Sequence, residues 1–395
     1  MKKILYSLLF MVCLCSCAED HIGQTPTDNI RPAVIQDVVI ESMPGGAKIS
    51  YALPKETDIS YVKGEYLVNG TKYVVRSSVY KNYLMIEGLG STEPLDISLY
   101  TVDHSENLSE PVIKKINPGT PLVDLIMQSM KITTDFGGIK VTWENVLASE
   151  VGITVLATND KGEMEEGETL FTDLKNGDYS FRGYDDSKRT FALCLTDKWG
   201  NVSDTLKREI TPYFEKLLDK SKHKRLTLPG DNTTNYSSSY VFQNLFDDKL
   251  NTNWITVLGS QKQLPLYFTI DLGTEAQLSR FKLWFRQSFE YKNQGIKEFE
   301  IWAASSYKEN MFEDYWIGED WRNDWEKLGD FVTDKPSGMD SPVTNSDIEY
   351  AKQGFEFNLP LDIKRARYIR VVMNSNWSGG SEIELAELSF YGNDK

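Results

Sequence analysis

Aromatic rings set among amides, guanidinium groups and small turn residues are the side chains suited to a neutral, hydroxyl-rich ligand. The ring packs on the apolar face of a sugar while the polar groups read its hydroxyls. Three stretches of this 395-residue chain carry the mixture. Residues 311–326 hold Phe312, Tyr315, Trp316, Trp321 and Trp325 among acidic residues. Residues 374–380 (NSNWSGG) put Trp377 beside Asn376 in a run typical of an exposed turn. Residues 286–291 (RQSFEY) place Arg286 and Tyr291 directly after a strand-like run. Any one of these rings has a competing role, packing a long loop onto a core. As a group they suggest a binding face, with Arg286, Tyr291, Trp316, Trp321, Asn376 and Trp377 as its contacts.

Other chemistries find less material. His21, His104 and His223 are the only histidines and are scattered, which disfavours a histidine-based triad or a histidine-rich metal site. Of four cysteines, Cys13, Cys15 and Cys17 crowd the amino terminus. Cys194 stands alone in an apolar run (FALCL) and reads as a small hydrophobe. The acidic run at 162–168 (GEMEEGE) reads as a solvated hairpin loop. The pairs Glu313/Asp314 and Glu319/Asp320 are adjacent in sequence. Glycosidase carboxylates must instead face each other across a cleft. The formal charge of −15 opposes binding to nucleic acid, or to anionic lipid by charge.

These loops need elements to hold them. Met1-Lys2-Lys3 followed by the apolar run Ile4–Cys15 reads as a secretory signal, too short to span a bilayer as a mature helix. Residues 18–31 are polar and without period, as in a tether. A repeat follows. GGAKISY at 45–51 matches GGIKVTW at 137–143, and the run from Leu99 through Asp103, Asn107 and Ser109 matches that from Cys194 through Asp197, Asn201 and Ser203. Each copy is a strand-rich module. Ala47/Ile49/Tyr51 and Ile139/Val141/Trp143 show the period of two of half-buried strands. Leu266/Phe268/Ile270, Phe281/Leu283/Phe285 and Ile369/Val371/Met373 show it again, which makes Arg280, Lys282, Arg367 and Arg370 outward partners. Phe214, Leu217 and Leu218 have helical spacing and predict a short linker helix within 212–225.

Three resemblances add to this. Leu14-Cys15-Ser16-Cys17 resembles a bacterial lipobox, which implies that Cys17 is the lipidated first residue of the mature chain. The acidic residues behind it resemble the export signal of Bacteroidetes-type surface lipoproteins. The two repeats, with their aromatic in KISYALP and KVTWENV and their D…N-x-S endings, resemble fibronectin type III or immunoglobulin-like spacers. Residues 226–395 resemble a discoidin (coagulation-factor C-type, galactose-binding-like) domain. The blocks are Asn244–Asp248 with Asn251–Trp254, Leu266–Gly273, Ile296–Trp302 with Trp325–Gly329, Ala366–Arg370 and Glu384–Gly392.

The discoidin resemblance implies a structural calcium held by Asp247, Asn251, Thr252 and Glu387, with Asp248 standing where the family has glycine. It implies that Trp254 and Trp325 are core residues, that Trp316 and Trp321 lie in an insertion, and that an arginine at Arg286 contacts sugar. The expectation is an all-β chain: signal 1–16, tether 17–31, modules 32–118 and 119–211, linker helix 212–225 and a jelly-roll sandwich at 226–395. Its expected role is a non-catalytic, lipid-anchored outer-membrane surface protein that captures glycan beside neighbouring glycan-uptake proteins. The alternatives are a protein–protein adhesin or structural component of an outer-membrane complex, and a glycan-processing enzyme.

Overall fold

The repeated glycine pairs turn the chain at its first hairpins. Gly45 and Gly137 sit at φ +58° and +65°, the left-handed region where a side chain is strained. In the computed structural model, residues 28–256 and 264–395 are described. Cys17 and the export segment lie outside them. Strand makes up 49% of the described residues and helix 9%, so the fold is all-β.

The first module runs β1 (Gln36–Met43), β2 (Gly46–Ala52), β3 (Ile59–Val68), β4 (Thr71–Ser78), β5 (Tyr83–Ile86), β6 (Leu95–Asp103) and β7 (Val112–Ile116). One layer is β1-β2-β5 and the other β4-β3-β6-β7. The second module opens with a helix, α1 (Leu122–Ser129), then repeats the plan. Its strands are β8 (Lys131–Asp135), β9 (Gly138–Glu144), β10 (Val151–Thr158), β11 (Met164–Thr172), β12 (Asn176–Arg182), β13 (Arg189–Asp197) and β14 (Leu206–Ile210). The layers are β8-β9-β12 and β11-β10-β13-β14. Ala47, Ile49 and Tyr51 in the first module, and Ile139, Val141 and Trp143 in the second, are buried between layers as their period requires. α1 was not expected. It buries Leu122, Val123 and Ile126, spaced to share one helical face, over the second core.

The D-x-x-x-N-x-S repeat builds the same corner twice. Asp103 Oδ1 accepts the backbone N–H groups of Ser105 and Asn107, and Asp197 Oδ1 accepts those of Trp199 and Asn201. Each asparagine then grips what precedes its module. Asn107 Nδ2 donates to Asp28 O at 3.3 Å, and Asn201 Nδ2 donates to Gly88 O of the first module at 3.1 Å.

The third module comprises β15 (Lys216–Leu217), β16 (Lys224–Leu226), β17 (Trp254–Ile255), β18 (Leu266–Trp284), β19 (Ile296–Ala304), β20 (Glu326–Val332), β21 (Phe355–Asn358), β22 (Ala366–Asn376), β23 (Glu384–Leu385) and β24 (Glu387–Asn393). β18 serves both layers. Residues 266–271 pair with β16 and β22, and residues 277–284 pair with β24 and β21. Gly273, at φ +70°, lies where the strand passes between layers. The three alternating runs read from the sequence are all buried here.

The expected linker helix is reduced to one 3-10 turn, Lys220–Lys222. Pro212 opens the segment, and its apolar residues find better partners in the sandwich than along a helix. Lys216 and Leu217 pair with Gly392 and Tyr391 as β15. Leu217 is therefore 44% exposed and Leu218 only 1%. Next to β15, Glu215 takes Arg280 Nε and Nη2, both at 3.1 Å, while Arg182 of the second module reaches Glu356 at 3.4 Å. Arg280 is thus a junction residue rather than a solvent-facing one.

Candidate functional site

The residues after β18 turn at the C-terminal end of that strand. Ser288 adopts φ +69°, and Phe289 N–H donates back to Arg286 O. The turn folds Phe289 beside Arg286, with ring and guanidinium 4.3 Å apart. Arg286 Nη1 lies 3.3 Å from Glu384 Oε1, and Asn253 Nδ2 donates to the same oxygen at 3.0 Å. Glu384 is buried on β23, and burial pushes its carboxyl above the usual range, against the pull of Arg286. One guanidinium nitrogen is thus committed to Glu384. The side chain keeps about a third of its surface (32%), so a planar donor stands fixed at the rim beside an aromatic ring.

The neighbouring loops are tied to the same end. Trp377 N–H donates to Gly295 O, and Glu384 N–H donates to Gln294 O. Trp377 is half-buried. Its Nε1 donates to Thr333 Oγ1 and its ring meets Tyr291 edge-on at 5.0 Å. Tyr291 and Asn376 are buried rather than presented. Tyr291 OH donates to Asp334 O, and burial raises its pKa. Asn376 holds its loop shut: Nδ2 donates to Glu382 O, and Oδ1 accepts from Ser378 N and Gly380 N. Both side chains spend their polar atoms on loop structure.

Trp316 and Trp321 correct the sequence reading. Their exposures are 2% and 0%. The insertion, with its helix α2 (Glu313–Ile317), folds over the outer face of β22 and β19. With Leu228, Trp302, Trp325 and Val372 these tryptophans make a second core. Arg370, expected to face outward, is enclosed there with no exposed surface. Its guanidinium lies 4.8 Å from the Trp321 ring and 5.4 Å from that of Trp316, and its Nη1 is 2.9 Å from Asp231 Oδ1. The apolar rings cover the sheet, and so they are not at the rim. Trp254 and Trp325 are core residues as the resemblance implied.

The four expected calcium ligands do not form a cage. Lys220 holds the position beside Glu387: its Nζ is 2.7 Å from Glu387 Oε1 and 2.6 Å from Asp248 Oδ1. Asp247 spends both carboxylate oxygens on Thr252 Oγ1, and Asn251 is exposed. Asp248 keeps the glycine-like turn at φ +59° and turns its carboxylate to the lysine. An ammonium between two carboxylates does not fit a divalent ion closed by Glu387. Burial still raises Glu387 to about 7, with Lys220 opposing the shift. Among the described residues no group of three or more His, Cys, Asp or Glu is placed to hold a metal.

Sequence reasoning missed Phe289, Glu384, Asn253 and Lys220. Phe289 lay within a stretch already singled out. Asn253 and Glu384 are 131 positions apart, and no local pattern joins them. Lys220, falling between buried Leu218 and His223, was the one available sign of a buried charge.

No described helix is long and apolar enough to cross a membrane. Three family models match the chain, each described as a domain of unknown function: DUF4959 over residues 32–118, DUF5126 over 119–221 and DUF5000 over 243–392. No curated protein matches. Among solved structures, the chain is similar to the SusE-like protein BT2857, at 28% identity over 70% of this chain and 100% of that one, with TM-score 0.44. It is also similar to CBM32-3 from a family 31 glycoside hydrolase of Clostridium perfringens, at 19% identity over 45% and 95%, TM-score 0.33. The family 32 CBM of C. perfringens NanJ, solved in complex with galactose, is similar at 16% identity over 45% and 98%, TM-score 0.31. The three family models thus divide the chain at nearly the places where its three sandwiches meet.

Proposed function

We propose that the chain is a non-catalytic, lipid-anchored cell-surface protein whose C-terminal sandwich binds glycan for polysaccharide capture and uptake. The observation that carries this reading is the Arg286–Phe289 pair beyond the end of β18. A fixed planar donor beside a ring is the pairing a sugar needs, hydroxyls to one and C–H face to the other. The acidic chain favours a neutral ligand over nucleic acid or another polyanion. Cys17 is the proposed lipid attachment, and the two N-terminal sandwiches, read as fibronectin-like spacers, raise the head from it. Neighbouring outer-membrane uptake proteins are the natural recipients of the captured glycan.

The test is a glycan array followed by titration calorimetry on the whole mature chain. Arg286→Ala is expected to weaken the binding found by roughly tenfold or more, the loss of about 1.4 kcal/mol. Its unfolding midpoint should fall, because buried Glu384 loses its guanidinium and keeps only the Asn253 amide. Phe289→Ala, which leaves that pair intact, is titrated beside it and should also weaken binding. Wild-type protein that binds nothing across a broad array of neutral and charged glycans sinks the proposal.

A further inference from the structure

A groove of about 440 Å³ lies where the first two sandwiches meet, well away from the rim of the third. That volume is in the range of small-molecule sites. Its floor includes Gly88, in the turn after β5. One wall is the β3–β4 hairpin with Asn69 and Tyr73, and another carries Trp199 and Asn201 from the second module. Glu93 also faces it.

Both rings of the groove are held and yet open to solvent. Tyr73 is 47% exposed and stacks on Tyr66, which is buried, with centroids 5.7 Å apart. Trp199 is 44% exposed, the turn hydrogen bond to Asp197 fixes its backbone, and the Lys198 side chain sets its ammonium 4.5 Å from the ring centroid. Its ring lies against Gly88, where an added Cβ would sit 2.5 Å from the indole. Gly88 also has φ +79°, so glycine meets two needs there: the backbone turn and the close approach of the ring. In the first module Ser105 holds the place that Trp199 holds in the second, two residues past the corner aspartate. The shared corner therefore does not need a tryptophan, and the large ring appears only in the copy that faces the groove.

Rings of this kind lose little freedom when a ligand lands on them. The amide of Asn69 and the carboxylate of Glu93 supply hydroxyl partners between them. Glu93 offsets the nearby Lys198 ammonium, and with the overall negative charge this favours a neutral ligand over an anionic one.

We infer that this inter-module groove is a second saccharide site, taking a short stretch of a neutral glycan between Tyr73 and Trp199. The inference rests on the reading of the chain as a glycan binder, and it turns the N-terminal sandwiches from spacers into binding elements. The experiment is affinity electrophoresis and calorimetry of the full mature chain on galactan, mannan, xylan and β-glucan, with Arg286→Ala used to silence the head. Residual binding by Arg286→Ala is expected. Adding Tyr73→Ala or Trp199→Ala should reduce that residue by roughly tenfold or more. Tyr73 is anchored within the first module, on Tyr66, and the junction's hook is Asn201 on Gly88 O, so a loss at Tyr73→Ala with an unchanged unfolding midpoint is charged to the groove. Trp199→Phe should keep part of the binding.

Three results separate the claims. If Arg286→Ala alone abolishes all binding, or if the double variants bind as Arg286→Ala does, the groove is overturned and the head stands. If Arg286→Ala has no effect while Tyr73→Ala and Trp199→Ala abolish binding, the groove stands and the rim reading falls. If the wild-type chain binds none of the four polymers nor any glycan on the array, both are overturned.

Discussion

Lys220→Ala destabilises the third sandwich by about 3 kcal/mol at pH 8 and by roughly 1 kcal/mol less at pH 5. The magnitude is that of removing one partner from a buried ion pair. The pH dependence follows from Glu387. Its folded value, about 7, lies above the ordinary 4.5, so the folded state holds the proton more tightly than the unfolded one. The stability that Glu387 contributes in the wild type is full below 4.5 and is lost as pH rises from there through 7. Above 7, Glu387 is ionised and leans on Lys220 Nζ at 2.7 Å. Removing the ammonium then leaves a buried carboxylate beside Asp247 and Asp248. Below 5 Glu387 is protonated in either protein, and the cost shrinks. Urea unfolding followed at both pH values checks this. The double variant Lys220→Ala/Glu387→Gln should lose less than Lys220→Ala alone at pH 8. A cost that is equal at both pH values contradicts the assignment. Because the lysine holds the cation position, millimolar calcium should leave the wild-type midpoint where it is.

Arg370→Ala should cost more, roughly 3–5 kcal/mol at neutral pH. The guanidinium has no exposed surface, pairs with Asp231 and fills the space between Tyr267, Trp316 and Trp321. Truncation takes the guanidinium from the buried Asp231 carboxylate, which keeps the Leu228 N–H, and opens a cavity among the rings. Arg370→Met with Asp231→Asn keeps most of the volume and removes both charges, so it should recover a large part of the loss. Trp321→Ala falls in the same range, on cavity grounds alone. Trp321→Phe, if folded, should leave glycan affinity unchanged, since that ring lies in the second core and not at the rim. Denaturant unfolding with tryptophan fluorescence measures the first effects and calorimetry the last. A loss under 1 kcal/mol for Arg370→Ala would show that the second core does not hold the face together.

The layers were legible because alternation is a local property. Leu266, Phe268 and Ile270 point inward for the reason the sequence suggests, and the Asp103 and Asp197 corners follow from residues four apart. What escaped was the second layer of cover. Arg370 does leave the main core, as its position between Ile369 and Val371 requires. The insertion then closes over it, and no periodicity says that a loop will fold back on a sheet. The same event buries Trp316 and Trp321. In the segment 212–225 a helical spacing of three residues lost to pairing with a strand some 175 positions later, a contact without local trace. Of the proposed rim, the sequence singles out Arg286 but not Glu384 and Asn253, which hold it.

β18 belongs to both layers of the head, and this couples function to folding. Neither layer can assemble without it, since residues 266–271 complete one and residues 277–284 the other. Arg286 follows its last residue by two. The rim therefore has no private route to local opening: amide exchange through β18 and into Phe285 runs at the rate of whole-head unfolding. The head works as a single cooperative unit, and its grip persists for as long as the sandwich does.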